Sequence, residues 1–591
     1  MSGNKNIERI CLIITACAVI ITLLFINGRS LGLEPIVDED AESYEGTEYF
    51  TANDQNGTWS TDDATVITLE GDEAKISGKG VYVLDGSVYI TGGGKYVISG
   101  KLDDGSIVVD AYESSKVYLM LDGVDVNCFD NAAILVKKAD KVFVTLKDGT
   151  VNQLSCGSEY SKEAQDDNVT GALFSHDDLT INGSGSLMIT SEYKHGIDSN
   201  DDLVIAGGTI EVSAAGDAIR ANDSVRIMNA SVTVDAGDDG VYINSEEGYF
   251  YMESGSLGIT SGGDGIHSLG DVTIAGGELT VGAADDGIHS DTAFLISAGT
   301  VDVTECYEGI EALTIDIEGG DTTIYCKDDG LNANGGSGDM FSDPKAGFGG
   351  KPDGGMPEGI SGNGMPGRPE GDNGMDFGQG RGEMQGGVSG NGMPGRPEDG
   401  NGMQADVEEG SGDDVLKDSE DVETYIRISG GKLTIINDSG RDADGIDSNG
   451  DVIIDGGEIY VSMVNSGSNC AIDFASEMGG KAAVNGGYVV ACGGSSMVEK
   501  LDEGSKQASF LYIDNEGVDA GTRVELLDED GNVLISYEVP QSFSALTISC
   551  PEMTVGETYT LKIGDSEETI TLEEISSSFG DETRGGFGMM R

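Results

Sequence analysis

Residues 264–285 read DGIHSLGDVTIAGGELTVGAAD, and residues 286–307 begin the same pattern again as DGIHSDTAFLISAGTVDVTECY. Outward from this pair, a tetrapeptide of small, apolar, variable and small residues recurs. It runs through Gly196-Ile197-Asp198-Ser199, Ala218-Ile219-Arg220-Ala221, Gly240-Val241-Tyr242-Ile243, Gly265-Ile266-His267-Ser268, Gly287-Ile288-His289-Ser290, Gly309-Ile310-Glu311-Ala312 and Gly330-Leu331-Asn332-Ala333. Their starts are 22, 22, 25, 22, 22 and 21 residues apart. After each anchor come two alternating segments, such as Val272-Thr273-Ile274 and Leu279-Thr280-Val281, divided by a turn such as Gly276-Gly277. Three strands and three turns fill about 22 residues and leave no room for a helix.

Short strands recurring at a fixed step stack on the copy before them as parallel sheets. The fold class predicted is therefore all-β: a parallel β-helix with three short strands per rung, right-handed because parallel crossovers favour that hand. Ile197, Ile219, Val241, Ile266, Ile288, Ile310 and Leu331 form one inward column, and pairs such as Val272/Ile274 and Phe294/Ile296 form a second. A leucine-rich repeat is excluded, since its Leu-x-x-Leu-x-Leu pattern and helical half are absent.

The repeat extends both ways. Divergent rungs are expected at Ser106–Val109, Ala133–Val136 and Gly171–Ser175, and later ones at Gly445–Asn449 and Ala471–Asp473. The expected organisation is a cytoplasmic tip and anchor at 1–36, an acidic linker at 37–60 and the coil at 61–334. An insert follows at 335–422, then final rungs at 423–506, a small β cap at 507–575 that covers the open solenoid end, and a flexible tail at 576–591. The insert carries SGNGMPGRPE twice, at 361 and 389, and has too few β-branched or aromatic residues to offset its ordering entropy, so it is expected to be disordered.

Ile10 to Ile26 is an uncharged run of 17 residues with Lys5 and Arg9 before it and acids after it, which places the body outside the membrane. The run fits a retained membrane anchor or a cleaved signal, giving a bacterial cell-surface or secreted protein. Among nine cysteines, Cys128/Cys156, Cys306/Cys326 and Cys470/Cys492 lie 28, 20 and 22 residues apart, a spacing that fits disulfides and stacked thiols equally.

The net charge is −73, and residues 171–334 hold 30 Asp and Glu against Lys194, Arg220, Arg226 and Lys327, which excludes nucleic acid as a partner. Immediately before the anchors from Ala218 to Gly330 stand acids, namely Asp217, Asp238-Asp239, Asp264, Asp285-Asp286, Glu308 and Asp328-Asp329, with Asp442 and Asp444 in the later copy. Stacking sets these in one ladder about 5 Å apart, unfavourable without a cation, and an all-oxygen donor set suits Ca²⁺. The four histidines read as scattered, apart from the stacked pair His267/His289. The outward third position of the tetrapeptide offers a separate ligand face: Asp198, Arg220, Tyr242, His267, His289, Glu311, Asn332 and Asp447.

The Asp-Asp-Gly-Ile-x-Ser rungs, the Gly/Met/Pro insert and the segment from Gly531-Asn532-Val533 to Tyr559-Thr560-Leu561 resemble the calcium-binding, carbohydrate-binding β-helix proteins of cellulolytic clostridia, relatives of polysaccharide lyases. That resemblance, over roughly residues 60–575, implies a right-handed β-helix with Ca²⁺ at rung corners, a surface location, and binding of cellulose-like or pectin-like polymers. A lyase would need Ca²⁺ and a neutral basic side chain to take a proton, whereas dense carboxylates favour the charged form of any nearby base. The expected function is therefore polysaccharide binding without cleavage, with a Ca²⁺-dependent pectate-type lyase and a structural spacer or adhesin as the alternatives.

Overall fold

A computed structural model describes residues 46–334 and 424–582, apart from 439, 441, 442 and 467. The apolar run at 10–26, the insert and Asp442 lie outside the described residues. Among the described residues no helix is long and apolar enough to cross a membrane.

The anchors stack in parallel register. Ile219 pairs with Val241, Val241 with Ile266, Ile266 with Ile288, Ile288 with Ile310, Ile310 with Leu331 and Leu331 with Ile446. Each strand pairs with its equivalent one turn on, so the chain circles through three faces per rung: Ile266–Ser268, Asp271–Ile274 and Glu278–Ala283 are one such turn. The described residues are nearly all β, as the period-2 pattern requires. Inward residues of the first two faces, Ile266, Val272 and Ile274 among them, are wholly buried in one continuous core. Burying each such side chain contributes roughly 1.5–3 kcal/mol. The three extra residues of the 25-residue step form the loop at 244–248, at the corner between the first and second faces. The insert departs from that same corner: Leu331–Ala333 ends the first-face strand, and Tyr425–Ile428 resumes the second face by pairing with Thr314–Ile317.

Both ends are closed by antiparallel pairing, which removes open edges. At the start, Thr65–Gly71 pairs with Glu73–Ser77 and Val81–Leu84 with Ser87–Ile90. At the end, Phe543–Ser549 runs antiparallel on Tyr488–Gly493, beside a four-stranded sheet with its own core.

Two expected boundaries differ. Residues 46–60, expected as linker, form a strap over the second face: Tyr49 stacks on Tyr251 at 3.8 Å, Phe50 buries against Val204 and Met228, and Asp54 meets Lys141 at 2.9 Å. Aromatic residues spaced among the acids hold it there. The expected tail also begins later, because Ser576–Gly580 is a strand paired with Ser509–Ile513.

Candidate metal and polysaccharide site

The acidic corner lies between the third and first faces, and its glycine explains its shape. A Cβ on Gly265 would stand 2.4 Å from the carbonyl oxygen of Gly287, and one on Gly309 would stand 2.2 Å from that of Gly330. At these rungs a side chain would collide with the next rung's backbone, so glycine lets them close tightly, whereas Ala218 is accommodated at the equivalent place in an earlier rung. The preceding acid is then held at a fixed place, and its backbone carbonyl accepts the N–H of the glycine one rung before, as Asp286 O accepts from Gly265 at 2.8 Å.

The carboxylates form a hydrogen-bonded ladder. Asp217 Oδ1 accepts the backbone N–H of Asp239 at 3.3 Å, Asp239 Oδ1 that of Asp264 at 2.8 Å, and Asp264 Oδ1 that of Asp286 at 3.0 Å. The pattern resumes where Asp329 Oδ1 accepts from Asp444 at 2.6 Å and Asp444 Oδ1 from Cys470 at 2.7 Å. One oxygen of each carboxylate is thus occupied along the coil axis, and the other faces sideways.

On that side stand the third-position residues, which brings together the two residue sets that the sequence presents separately. Arg220 reaches Asp217 at 3.2 Å, His267 Nδ1 reaches Asp264 at 2.9 Å, and His289 Nδ1 lies 3.3 Å from Asp286 and 2.8 Å from Glu311. His195 adds a second partner for Asp217 at 3.1 Å, and Asn332 donates to Glu308 at 2.8 Å. The third-position residues also contact one another from rung to rung. The Arg220 guanidinium lies 4.6 Å from the Tyr242 ring centre, Tyr242 is 5.0 Å from His267, and His267 is 4.8 Å from His289. Asp198 stands apart, 4% exposed and bonded by the Thr170 hydroxyl. Upstream of it the same outward column, Phe174, Leu135 and Val108, is buried alongside Tyr160, Ala164 and Val169 of the segment carrying helix Lys162–Asp166. The open stripe therefore begins at Arg220.

Charge divides the ladder. Burial pushes Asp217 up, but His195 and Arg220 outweigh it and hold the carboxyl below its ordinary value. Burial also disfavours charge on His289, yet its bonds to Asp286 and Glu311 push it up to about 11, so it is a cation. At other ladder acids the positive partners do not offset burial. Burial, only partly offset by His289, pushes Asp286 up to about 7. Burial with the charges of Asp286 and Glu311 pushes Glu308 up to about 8, and burial with Asp444 and Asp473 pushes Asp447 up to about 7.

Three expectations about this corner change. First, the doublets do not contribute both acids: Asp238 and Asp285 are exposed, Asp328 bonds the Tyr307 hydroxyl, and it is Asp239, Asp286 and Asp329 that face the stripe. Adjacent residues of an extended chain point opposite ways. Second, the histidines are not scattered, since three of the four, His195, His267 and His289, sit against ladder acids. Third, Cys470 does not stack on Cys492, whose register partner is Ser462; Cys128/Cys156 and Cys306/Cys326 are register partners, and all seven described cysteines are buried free thiols. Among the described residues five clusters place ligand atoms within 4.8 Å of one another: Asp239/Asp264/His267, Asp264/Asp286/His289, Asp286/Glu308/Glu311 and Asp444/Cys470/Asp473 along the ladder, and His267/His289/Asp291 beside it. Asp473 and Cys470 were not legible as ladder members because their rung lacks an acid before the anchor.

The comparisons with known proteins bear on this region. Residues 84–338 match the family of carbohydrate-binding domain-containing proteins. A carbohydrate-binding domain-containing protein of Acetivibrio thermocellus is similar to this chain, 39% identical over 136 residues, which is 23% of this chain and 48% of the relative. The alignment thus spans about half the length of that relative. A solved polysaccharide lyase-like protein from C. thermocellum, studied as a gadolinium derivative, is similar to 46% of this chain over 96% of its own, at 28% identity and a TM-score of 0.33. The family match includes every ladder rung from Asp217 to Asp329 and supports a carbohydrate-binding role for that stretch.

Proposed function

We propose that the coil is right-handed and binds an extended plant-type polysaccharide along the stripe from Arg220 to Asp447, without cleaving it, at the cell surface. The observation that carries this is the continuous run of contacting outward side chains, Arg220, Tyr242, His267 and His289, each partly exposed and lined by carboxylates. A polymer laid along the coil axis meets a new rung at each step, its C–H faces on Tyr242 and its hydroxyls on the acids and imidazoles. Cleavage is disfavoured because the nearby bases are engaged: Arg220 pairs with Asp217, and the Lys194 ammonium lies over the Tyr193 ring at 5.4 Å.

Ca²⁺ fits best at the acid-only cluster of Asp286, Glu308 and Glu311, with Asp329, Asp444 and Asp447 as a second oxygen-rich stretch. There burial and neighbouring acids penalise the ionised forms of Asp286, Glu308, Asp329 and Asp447, while Glu311 is kept ionised by His289, and a hard cation would supply the positive charge those four acids lack. The Gly/Ser/Thr groove of about 790 Å³ at the opposite corner, lined by Gly208, Thr209, Asn229, Ser256 and Glu278, has no aromatic group and serves as the control.

The test is depletion of the full chain by insoluble cellulose, with and without chelator, paired with ultraviolet detection of unsaturated uronate from polygalacturonate. Tyr242→Ala should weaken binding about tenfold, equivalent to about 1.4 kcal/mol, while Asn229→Ala leaves it unchanged. Appearance of unsaturated product would replace the binding-only reading with a lyase.

A further inference from the structure

Asp239, Asp264 and His267 come from adjacent rungs and converge on one point. His267 Nδ1 lies 2.9 Å from Asp264 Oδ2 and 3.7 Å from Asp239 Oδ2. Each carboxylate is fixed through its other oxygen, since Asp239 Oδ1 holds the N–H of Asp264 at 2.8 Å and Asp264 Oδ1 holds that of Asp286 at 3.0 Å. Asp264 is 9% exposed, so neither its rotamer nor its backbone is free to turn away. The imidazole is positioned from two sides as well, by Tyr242 at 5.0 Å and His289 at 4.8 Å between ring centres.

Ligand type and spacing select the ion. A tetrahedral Zn²⁺ with bonds of about 2.0–2.2 Å sets its ligand atoms about 3.4 Å apart, close to the separations found, and accepts an imidazole with two carboxylates. Ca²⁺ wants six to eight oxygens and gains nothing from an imidazole. The neighbouring His289 is otherwise engaged: Nδ1 lies 2.8 Å from Glu311, and Nε2 lies 3.1 Å from Asp291.

We propose that Asp239, Asp264 and His267 form a binding site for a divalent transition-metal ion of the Zn²⁺ type, distinct from the acid-only Ca²⁺ positions, with its remaining coordination position facing the open stripe beside Tyr242. The site depends on neither the polysaccharide nor the Ca²⁺ reading. It clamps two rungs at the middle of the stripe.

The probe is Zn²⁺ itself, titrated calorimetrically into chelator-stripped full chain held in detergent, with millimolar Ca²⁺ present throughout. One Zn²⁺ per chain should bind despite the Ca²⁺. His267→Gln should weaken it about 100-fold, as loss of a ligand does, whereas His289→Gln should leave it within about twofold. Equal Zn²⁺ binding by folded His267→Gln, or displacement of the ion by Ca²⁺, would overturn the site. Should His267→Gln fail to fold, Co²⁺ added to the unaltered chain decides: four-coordinate nitrogen and oxygen ligation gives strong visible ligand-field bands, and their absence rejects the proposal.

Discussion

Asp264 Oδ1 accepts the backbone N–H of Asp286 at 3.0 Å, one full rung away, while Asp264 Oδ2 faces His267 Nδ1 at 2.9 Å. A single carboxylate thereby satisfies a buried amide and neutralises a stripe residue. Much of the acidity that reads as a repulsive ladder is therefore spent on the coil's own backbone and on its few cations.

Substitutions at Asp264 separate the two roles. Asp264→Asn keeps an oxygen for the Asp286 amide and loses only the charge beside His267. Asp264→Ala leaves that amide unsatisfied, at a cost of about 1–3 kcal/mol. The denaturant midpoint should fall clearly further for Ala than for Asn. Equal losses would mean that the backbone bond contributes nothing.

The pH dependence of the metal-free chain should run opposite to ordinary acid denaturation over the neutral range. Asp239, Asp286, Asp447 and Glu308 are pushed up to about 6, 7, 7 and 8, each well above its unfolded value. A raised folded value means that the group's contribution is fully present below the unfolded value, near 4, and is lost as pH rises through 6 to 8. His289, raised from 6.5 to about 11, shifts the balance the same way, its contribution complete below 6.5 and declining above it. Urea midpoints measured in chelator should thus decrease from pH 5 to pH 8. Saturating Ca²⁺ should flatten the slope and add about 2.7 kcal/mol at a hundredfold excess over its dissociation constant. A flat profile in chelator, or no response to Ca²⁺, contradicts the assignment.

How far the sequence revealed this follows from what periodicity can carry. The anchor columns were legible because Ile219, Val241, Ile266 and Ile288 repeat at one step and a buried column tolerates little else. The partnership of Asp264 with His267 and of Asp286 with His289 was not, because it depends on a corner turning the first residue toward the fourth, which a strand pattern does not encode. Nor was the strap legible: Tyr49, Phe50 and Trp59 sit among acids and glycines with no period, and only contact with Tyr251, Val204 and Thr145 shows that they are packed.

Removing residues 340–420 and joining the ends with a short linker should preserve both fold and cellulose binding. Leu331–Ala333 is held between Ile310–Ala312 and Ile446–Ser448, and Tyr425–Ile428 between Thr314–Ile317 and Asp451–Ile454, so each flanking strand keeps its two neighbours. Circular dichroism and melting temperature should match the parent. A large drop would show that the insert takes part in the fold.

The proposed Ca²⁺ would either only steady the coil or also bridge to the polysaccharide, and the two roles predict different polymer binding. A chain with net charge −73 repels polygalacturonate, so binding of that polymer should require Ca²⁺ shared between uronate carboxylates and Asp286, Glu308 and Glu311. It should weaken steeply with salt and fall in Glu308→Gln/Glu311→Gln. Cellulose carries no charge and should bind through Tyr242 with little salt dependence, in the double variant as in the parent. Affinity for both polymers is measured at fixed Ca²⁺ across a salt series, with variants first shown to be folded. Equal dependence of both polymers on Ca²⁺ in a coil that stays folded would make the ion purely structural, and equal loss of both in Tyr242→Ala would place the two ligands on one stacking surface.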